Sequence, residues 1–271
     1  MIATILLRAV RDPELARAYG GGEFRLDDSS IDALVLALSA RRSGFVRELQ
    51  GMAVGPPEWD VALREAISIG LDDVERVWTQ ELAEGDVPAH ARALAARVTP
   101  DTRLVVAGRA ASDYGSGLLA FALAEALNLP AMEQVIDVMR ENDRMAIHVQ
   151  ARGGRRLTYA VPDRAVLIAT RGNTAPYPTV AQRLAARKAA VPVVSPCQTP
   201  ALRAGLRFEG FGPARPITRH LLRPSTSANA GGRLRQLMSG GATQSGSSQT
   251  LAGAGLGDQL ADILAKEGFI S

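Results

Sequence analysis

The run Leu104-Val105-Val106-Ala107, closed by Gly108, constrains this chain more than any other stretch. Four apolar residues without a polar break read as a strand buried on both faces, because a sheet with one wet face would alternate. A polar, glycine-bearing turn follows over 109–117, and Leu118 to Leu127 carries the apolar, alanine-rich pattern of a helix. Strand, small-residue turn and helix together present backbone N–H groups to a phosphate, since the first helical turn leaves its amides unpaired. Ser112 and Ser116 can add hydroxyl donors, and Asp113 an acceptor for a ribose or an adenine amine. The glycine spacing matches neither GxGxxG nor GxxxxGK(S/T). The stretch therefore reads equally as a plain turn that closes a βα unit.

The same cycle runs through the first half of the chain. Ala3 to Leu7 is a first strand, and the charged, Gly-rich 8–22 is a loop at the carboxyl edge of the sheet. Asp27, Asp28 or Ser29 can cap a helix whose Ile31, Leu34, Val35 and Leu38 form an apolar stripe. Phe45 to Val54 reads as a second strand, broken by Gly55-Pro56-Pro57. Trp59 to Ile69 is a helix with Val61, Ala62, Ala66 and Ile69 toward the sheet. Asp72 to Thr79 is a further strand and Val87 to Val98 a further helix. Strands alternating with helices of this length give an α/β class: an open, mostly parallel sheet in three layers.

Beyond Pro130 the period changes. Glu133 to Met139 is a strand, and Met145–Gln150 with Arg156–Val161 forms an antiparallel hairpin across Ala151-Arg152-Gly153-Gly154. With Ala165 to Ala169 next, these strands extend the sheet at an edge. Thr179 can cap a helix over Val180 to Ala190, whose Arg183, Arg187 and Lys188 make a basic face. Residues 1–195 thus form one α/β domain, and 196–271 an extended arm. The arm holds a Gly/Ser-rich stretch from Gly231 to Gly257, too polar to build a core of its own, and a terminal helix around Leu260, Ile263 and Leu264.

Composition enters as exclusion. A single cysteine, Cys197, forbids an internal disulfide, and with only His90, His148 and His220 it argues against a Cys/His zinc site. This cysteine usage makes a reducing cytoplasm the expected location, and the N-terminus, with no basic segment before its apolar run, reads as a first strand and not an export signal. A net charge of +3 permits anionic partners, but no basic patch interleaved with aromatics marks a nucleic-acid binder.

Four segments in order resemble the beta subunit of electron transfer flavoproteins, from Met1 to about Pro196 and again near the C-terminus. They are Ala53-Val54-Gly55-Pro56 with Leu63-Arg64-Glu65-Ala66 and Gly70-Leu71-Asp72; Gly108 to Pro130; the strand pair ending at Val161-Pro162; and Pro176-Tyr177-Pro178-Thr179 with Ala186-Arg187-Lys188. The resemblance implies an adenine-nucleotide-binding, Rossmann-like fold with a C-terminal tail that wraps a partner. It implies an alpha subunit carrying the redox-active FAD, braced by this chain, which itself holds AMP or, in bifurcating members, a second FAD. Electrons then arrive from a flavin-dependent dehydrogenase and leave to a membrane quinone oxidoreductase or another acceptor. The nucleotide positions it implies are Ala9, Asp27, Asp28, Ser29, Ser30, Val54 and Gly55, then Asp113, Gly115, Ser116, Gly117, Leu118, Leu119 and Ala120.

Departures accompany the likeness. The family's Asn-Pro is Asp27-Asp28 here, and its AxExA helix start is Ala33-Leu34-Val35-Leu36-Ala37, without the glutamate. In the phosphate turn the second aspartate, the glutamine and the last glycine become Gly115, Leu118 and Ala120. The leucine that the family offers to client dehydrogenases is Val180, ahead of Arg183, Arg187 and Lys188, and the arginine before tyrosine is Pro176. The basic tail step is represented by Arg215, Arg219 and Arg223, and the Gly/Ser interval after it is a departure. Two other functions fit the same scaffold. A nucleotide hydrolase or ligase would need an acid or base near Asp113, and a nucleotide-sensing module would form a homodimer.

Overall fold

The computed structural model of the chain describes residues 1–12, 24–80, 82, 87–113, 115–196 and 256–266. Its elements run β1 (Ile2–Leu7), β2 (Ala9–Arg11), β3 (Phe24–Leu26), α1 (Asp28–Arg42), β4 (Glu48–Val54), α2 (Asp60–Ile69), β5 (Asp73–Val77), α3 (Val87–Ala95), β6 (Thr102–Gly108) and α4 (Leu118–Leu127). Then come β7 (Ala131–Glu141), β8 (Arg144–Gln150), β9 (Arg156–Ala160), β10 (Ala165–Ala169), α5 (Val180–Arg187) and β11 (Val193–Val194). Among these, nine strands form one sheet in the order β11-β5-β4-β1-β6-β10-β7-β8-β9. Pairing is parallel from β11 to β7, and antiparallel for β7–β8 and β8–β9.

The unbroken apolar run of β6 now has its cause. Leu104 and Val106 join the core that contains α1 and α2, while Val105 and Ala107 join the core that contains α3 and α4. Alternate side chains of one strand serve two helix layers, so neither face tolerates a polar residue. β10 repeats the pattern, with Leu167 on the first side and Val166 and Ile168 on the second. Each such Val, Leu or Ile contributes roughly 1.5–3 kcal/mol by leaving water. The three-layer α/β reading holds, as does the hairpin, whose register pairs Ile147 with Tyr159 and Val149 with Leu157.

Other expectations need correction. The second strand starts at Glu48, not Phe45: Gly44 turns left-handed at φ 81°, and the Phe45 N–H bonds back to the Ala40 carbonyl, so the backbone there ends α1. Val61 points to solvent at 58% exposure, because the buried stripe of α2 is Ala62, Leu63, Ala66 and Ile69. The segment after β1 is not all loop, since Ala9–Arg11 pairs antiparallel with Phe24–Leu26. β10 does not continue the edge. It returns between β6 and β7.

The chain divides into two units, Met1–Glu209 and Gly210–Ser271. In the second, the described part is α6 (Leu256–Lys266), where the terminal helix was expected. Cys197, His220, Arg215, Arg219, Arg223 and the Gly/Ser stretch up to residue 255 lie outside the described residues.

Gly108 is where β6 passes under the start of α1. A Cβ there would meet the Ser29 carbonyl oxygen at 2.2 Å, a backbone atom that cannot swing aside. Gly108→Ala should therefore cost about 2 kcal/mol or more in urea denaturation. A loss within about 0.5 kcal/mol, the range of an indifferent surface change, would contradict that packing.

Candidate functional site

The connection after β1 leads through α1 to β4 on one side, while β6 lies on the other side of β1. In a parallel sheet, such a reversal opens a crevice outside the carboxyl ends of the strands. Four segments meet there: Arg8 after β1, Asp27 to Ser30 at the start of α1, Val54-Gly55 after β4, and the turn between β6 and α4.

Asp27 organises the first contact. It is the N-cap of α1 and is fully buried. Its Oδ2 accepts the Ser29 N–H at 3.0 Å and the Ser29 hydroxyl; its Oδ1 accepts the Ser112 N–H at 3.0 Å and the Ser112 hydroxyl. Burial alone would raise the pKa, but the bonds from Ser112 and Ser29 outweigh it and hold the carboxyl below its ordinary 3.8. A capping aspartate thus also welds the turn after β6 to the start of α1.

Arg8 makes the second. Its Nε donates to both oxygens of Asp113 at 2.9 Å, and Nη2 closes the fork on Oδ2. The guanidinium carbon lies 5.5 Å from the centroid of the Trp59 ring. That indole in turn covers Gly55, where a Cβ would come within 2.2 Å of the ring. From below, the buried Arg76 donates to the Gly55 carbonyl at 3.2 Å and to Asp60 at 2.8 Å. The residue after β4 is therefore clamped on two sides.

The turn before α4 supplies the third. Gly115 and Gly117 take φ 62° and 65°, and a Cβ on Gly117 would meet the Arg109 carbonyl at 2.8 Å. As N-cap, Gly117 offers no side-chain acceptor, and no acidic residue sits in the first turn of α4. The Leu118 N–H donates to Ser116 Oγ over 3.5 Å. Helix-start amides and a hydroxyl fit the phosphate of a nucleotide.

The implied residues divide accordingly. Gly115, Ser116 and Gly117 form the turn; Leu118 is exposed and Leu119 half-buried, while the Ala120 methyl is buried in the core with Leu123. Asp27 is spent on internal bonds, and Asp28 faces outward onto Arg25 at 2.9 Å. Ser29 caps with Asp27, Ser30 accepts from the Arg8 N–H at 2.9 Å, and Ala9 is buried in β2. Arg8, Trp59 and Arg76 were not singled out from sequence, and no spacing rule links partners 105 residues apart.

A second surface lies on α5. A capping box joins Thr179 and Gln182. Val180 and Leu184, one turn apart, are 74% and 54% exposed, next to a nearly free Tyr177 over which Arg183 is placed at 5.1 Å. Arg187 and Lys188 are exposed beside them. Between α2 and α5 a cavity of about 600 Å³ is lined by Phe24, Ile31, Ile69, Tyr177 and Ala186 among others.

The sequence model of the electron transfer flavoprotein domain matches residues 20–199. The chain belongs to that family. Its membership is divergent and on the beta-subunit side. The caffeyl-CoA reductase-Etf complex subunit CarD of Acetobacterium woodii is 28% identical over 131 residues, 48% of this chain and 50% of that protein. The chain thus spans about half the length of that relative. The electron transfer flavoprotein subunit beta of Mycobacterium leprae is 25% identical over 206 residues, 70% of this chain and 77% of that protein. The subunit beta of Thermoanaerobacterium thermosaccharolyticum is 30% identical over 97 residues, 35% of this chain and 37% of that protein. Among the described residues of this family member, no helix is long and apolar enough to cross a membrane, and no His/Cys/Asp/Glu group could hold a metal ion.

Because its folded pKa is depressed, Asp27 stabilises the fold above its ordinary value, and that contribution fades as pH falls through the folded value. Asp27→Asn presents one acceptor oxygen to two backbone N–H groups and should cost about 1–3 kcal/mol at neutral pH. Thermal melts should show the gap between wild type and variant narrowing below about pH 4. A gap independent of pH would contradict the assignment.

Proposed function

We propose that this chain is the beta subunit of a heterodimeric electron transfer flavoprotein. It braces the domain of an alpha subunit that holds FAD, and it carries AMP, or the adenosine half of a second FAD, in its own crevice. The observation that supports this most is the convergence at the switch point. The start of α4 receives no side-chain cap from Gly117, while Asp27 holds the preceding turn still through Ser112. The phosphate belongs at the amides of Leu118 to Ala120 with the Ser116 hydroxyl, and Val54-Gly55 forms the wall toward the base.

Bound flavin supplies the electron chemistry of such a complex. What this chain's residues contribute is position. Asp27 fixes the turn through Ser112, and Arg76 and Trp59 fix Gly55. No side chain here has to take up an electron. The arm over 196–271 would wrap the alpha subunit.

The donor is a flavin-dependent dehydrogenase that docks on α5. The relative named for a caffeyl-CoA reductase-Etf complex favours a partner of that kind. Val180 inserts into an apolar socket while Arg183, Arg187 and Lys188 face an acidic rim. A valine reaches less far than the family's leucine, which implies an altered client. A cytoplasmic complex delivering onward to a membrane quinone oxidoreductase, or to another acceptor, completes the reading.

Co-expression with an alpha-like flavoprotein tests it. The expected product is a yellow 1:1 complex that releases FAD and an adenine nucleotide on denaturation. A chain that purifies only as a homodimer and turns over ATP would contradict it. Within the complex, Val180→Asp should lower electron delivery from the dehydrogenase about tenfold or more while flavin content stays constant. Unchanged delivery would remove Val180 from the docking surface.

A further inference from the structure

One side chain of this subunit crosses its own nucleotide crevice. Arg8 rises from the end of β1, passes over the Trp59 ring that covers Gly55, and closes on the Asp113 carboxylate. Three of the four segments that frame the crevice are thereby joined through a single cation. The Arg8 and Asp113 side chains are 27% and 33% exposed, so the pair is partly shielded from water and its attraction exceeds that of a fully solvated pair.

The geometry of the pair matters as much as its charge. Nε and Nη2 form a planar fork on two carboxylate oxygens, and the same fork suits two phosphate oxygens. A phosphate at the first turn of α4 would compete with Asp113 for that fork. It would also be repelled by Asp113, which stands four residues before the N-cap Gly117.

We infer that the Arg8–Asp113 pair is a latch on the crevice: a nucleotide phosphate seats at α4 by taking the guanidinium from Asp113. Asp113 therefore lowers the affinity for an adenosine phosphate instead of supplying it. This rests on the nucleotide reading above, and it makes a prediction of opposite sign to an aspartate that holds the ribose. Removing a ribose acceptor weakens binding; removing the latch strengthens it.

The test is calorimetric titration of AMP into the full-length chain, assembled with its flavoprotein mate where the two copurify. Asp113→Asn should bind AMP roughly threefold to tenfold more tightly than wild type, the scale of a part-buried ion pair. Asp113→Ser, which also removes the charge, should shift in the same direction and serves if the asparagine variant folds poorly. Arg8→Ala should weaken binding, and adding Asp113→Asn to it should recover only the part lost to repulsion, leaving the double variant weaker than Asp113→Asn alone. Inorganic phosphate as titrant should rank the variants in the same order. Equal or weaker AMP binding by folded Asp113 variants overturns the latch alone. AMP binding by none of the proteins overturns both the latch and the nucleotide reading.

Discussion

A carboxylate shut away from water must be met by donors, and Asp27 is met by four, two on its own helix and two on a turn 85 residues further along. That requirement fixes where the start of α1 stands relative to the turn before α4. Gly108 permits it, since only a residue without a Cβ lets β6 pass under the Ser29 carbonyl. The other contacts of the carboxyl edge build on this weld: the Ser30 hydroxyl on the Arg8 backbone, Arg8 on Asp113, and Trp59 against Gly55.

On the proposed reading, this lets the site depart from the family's pattern in its residues without losing its shape. Where the resemblance expects Asn-Pro stand Asp27-Asp28, and both carboxylates are engaged by protein donors. The Asp27 carboxylate is satisfied by hydrogen bonds inside the protein, and Asp28 is paired with Arg25 outside. The lost glycine at Ala120 adds a methyl that is buried in the core under α4. On the proposed reading a phosphate meets the backbone at the start of α4, whose placement is fixed by the weld and by the left-handed glycines 115 and 117.

Much of the architecture was legible in the sequence, because burial on two faces forces continuous apolar runs. β6 and β10 declared themselves that way, and α4 has the bounds that its spacing gave, Leu118 to Leu127. The hairpin was legible from Gly153-Gly154, both left-handed in the structure. Where local pattern and backbone direction part company, sequence misled: Phe45 and Val46 are as apolar as a strand demands but lie in the connection between α1 and β4. The site was legible as a turn and a cap. Its cross-links were not, since the Arg8–Asp113 and Arg76–Asp60 pairs arise from the order of strands in the sheet, and no spacing encodes that order.

If this carboxyl edge is a braced nucleotide crevice within a flavoprotein complex, hydrogen–deuterium exchange of the assembled complex with and without AMP tests it most directly. The account predicts slower exchange in peptides covering 27–31 and 113–120 when AMP is present, with the edge hairpin at 144–160 unchanged. Protection confined to other regions, or none at all under saturating AMP, would contradict it.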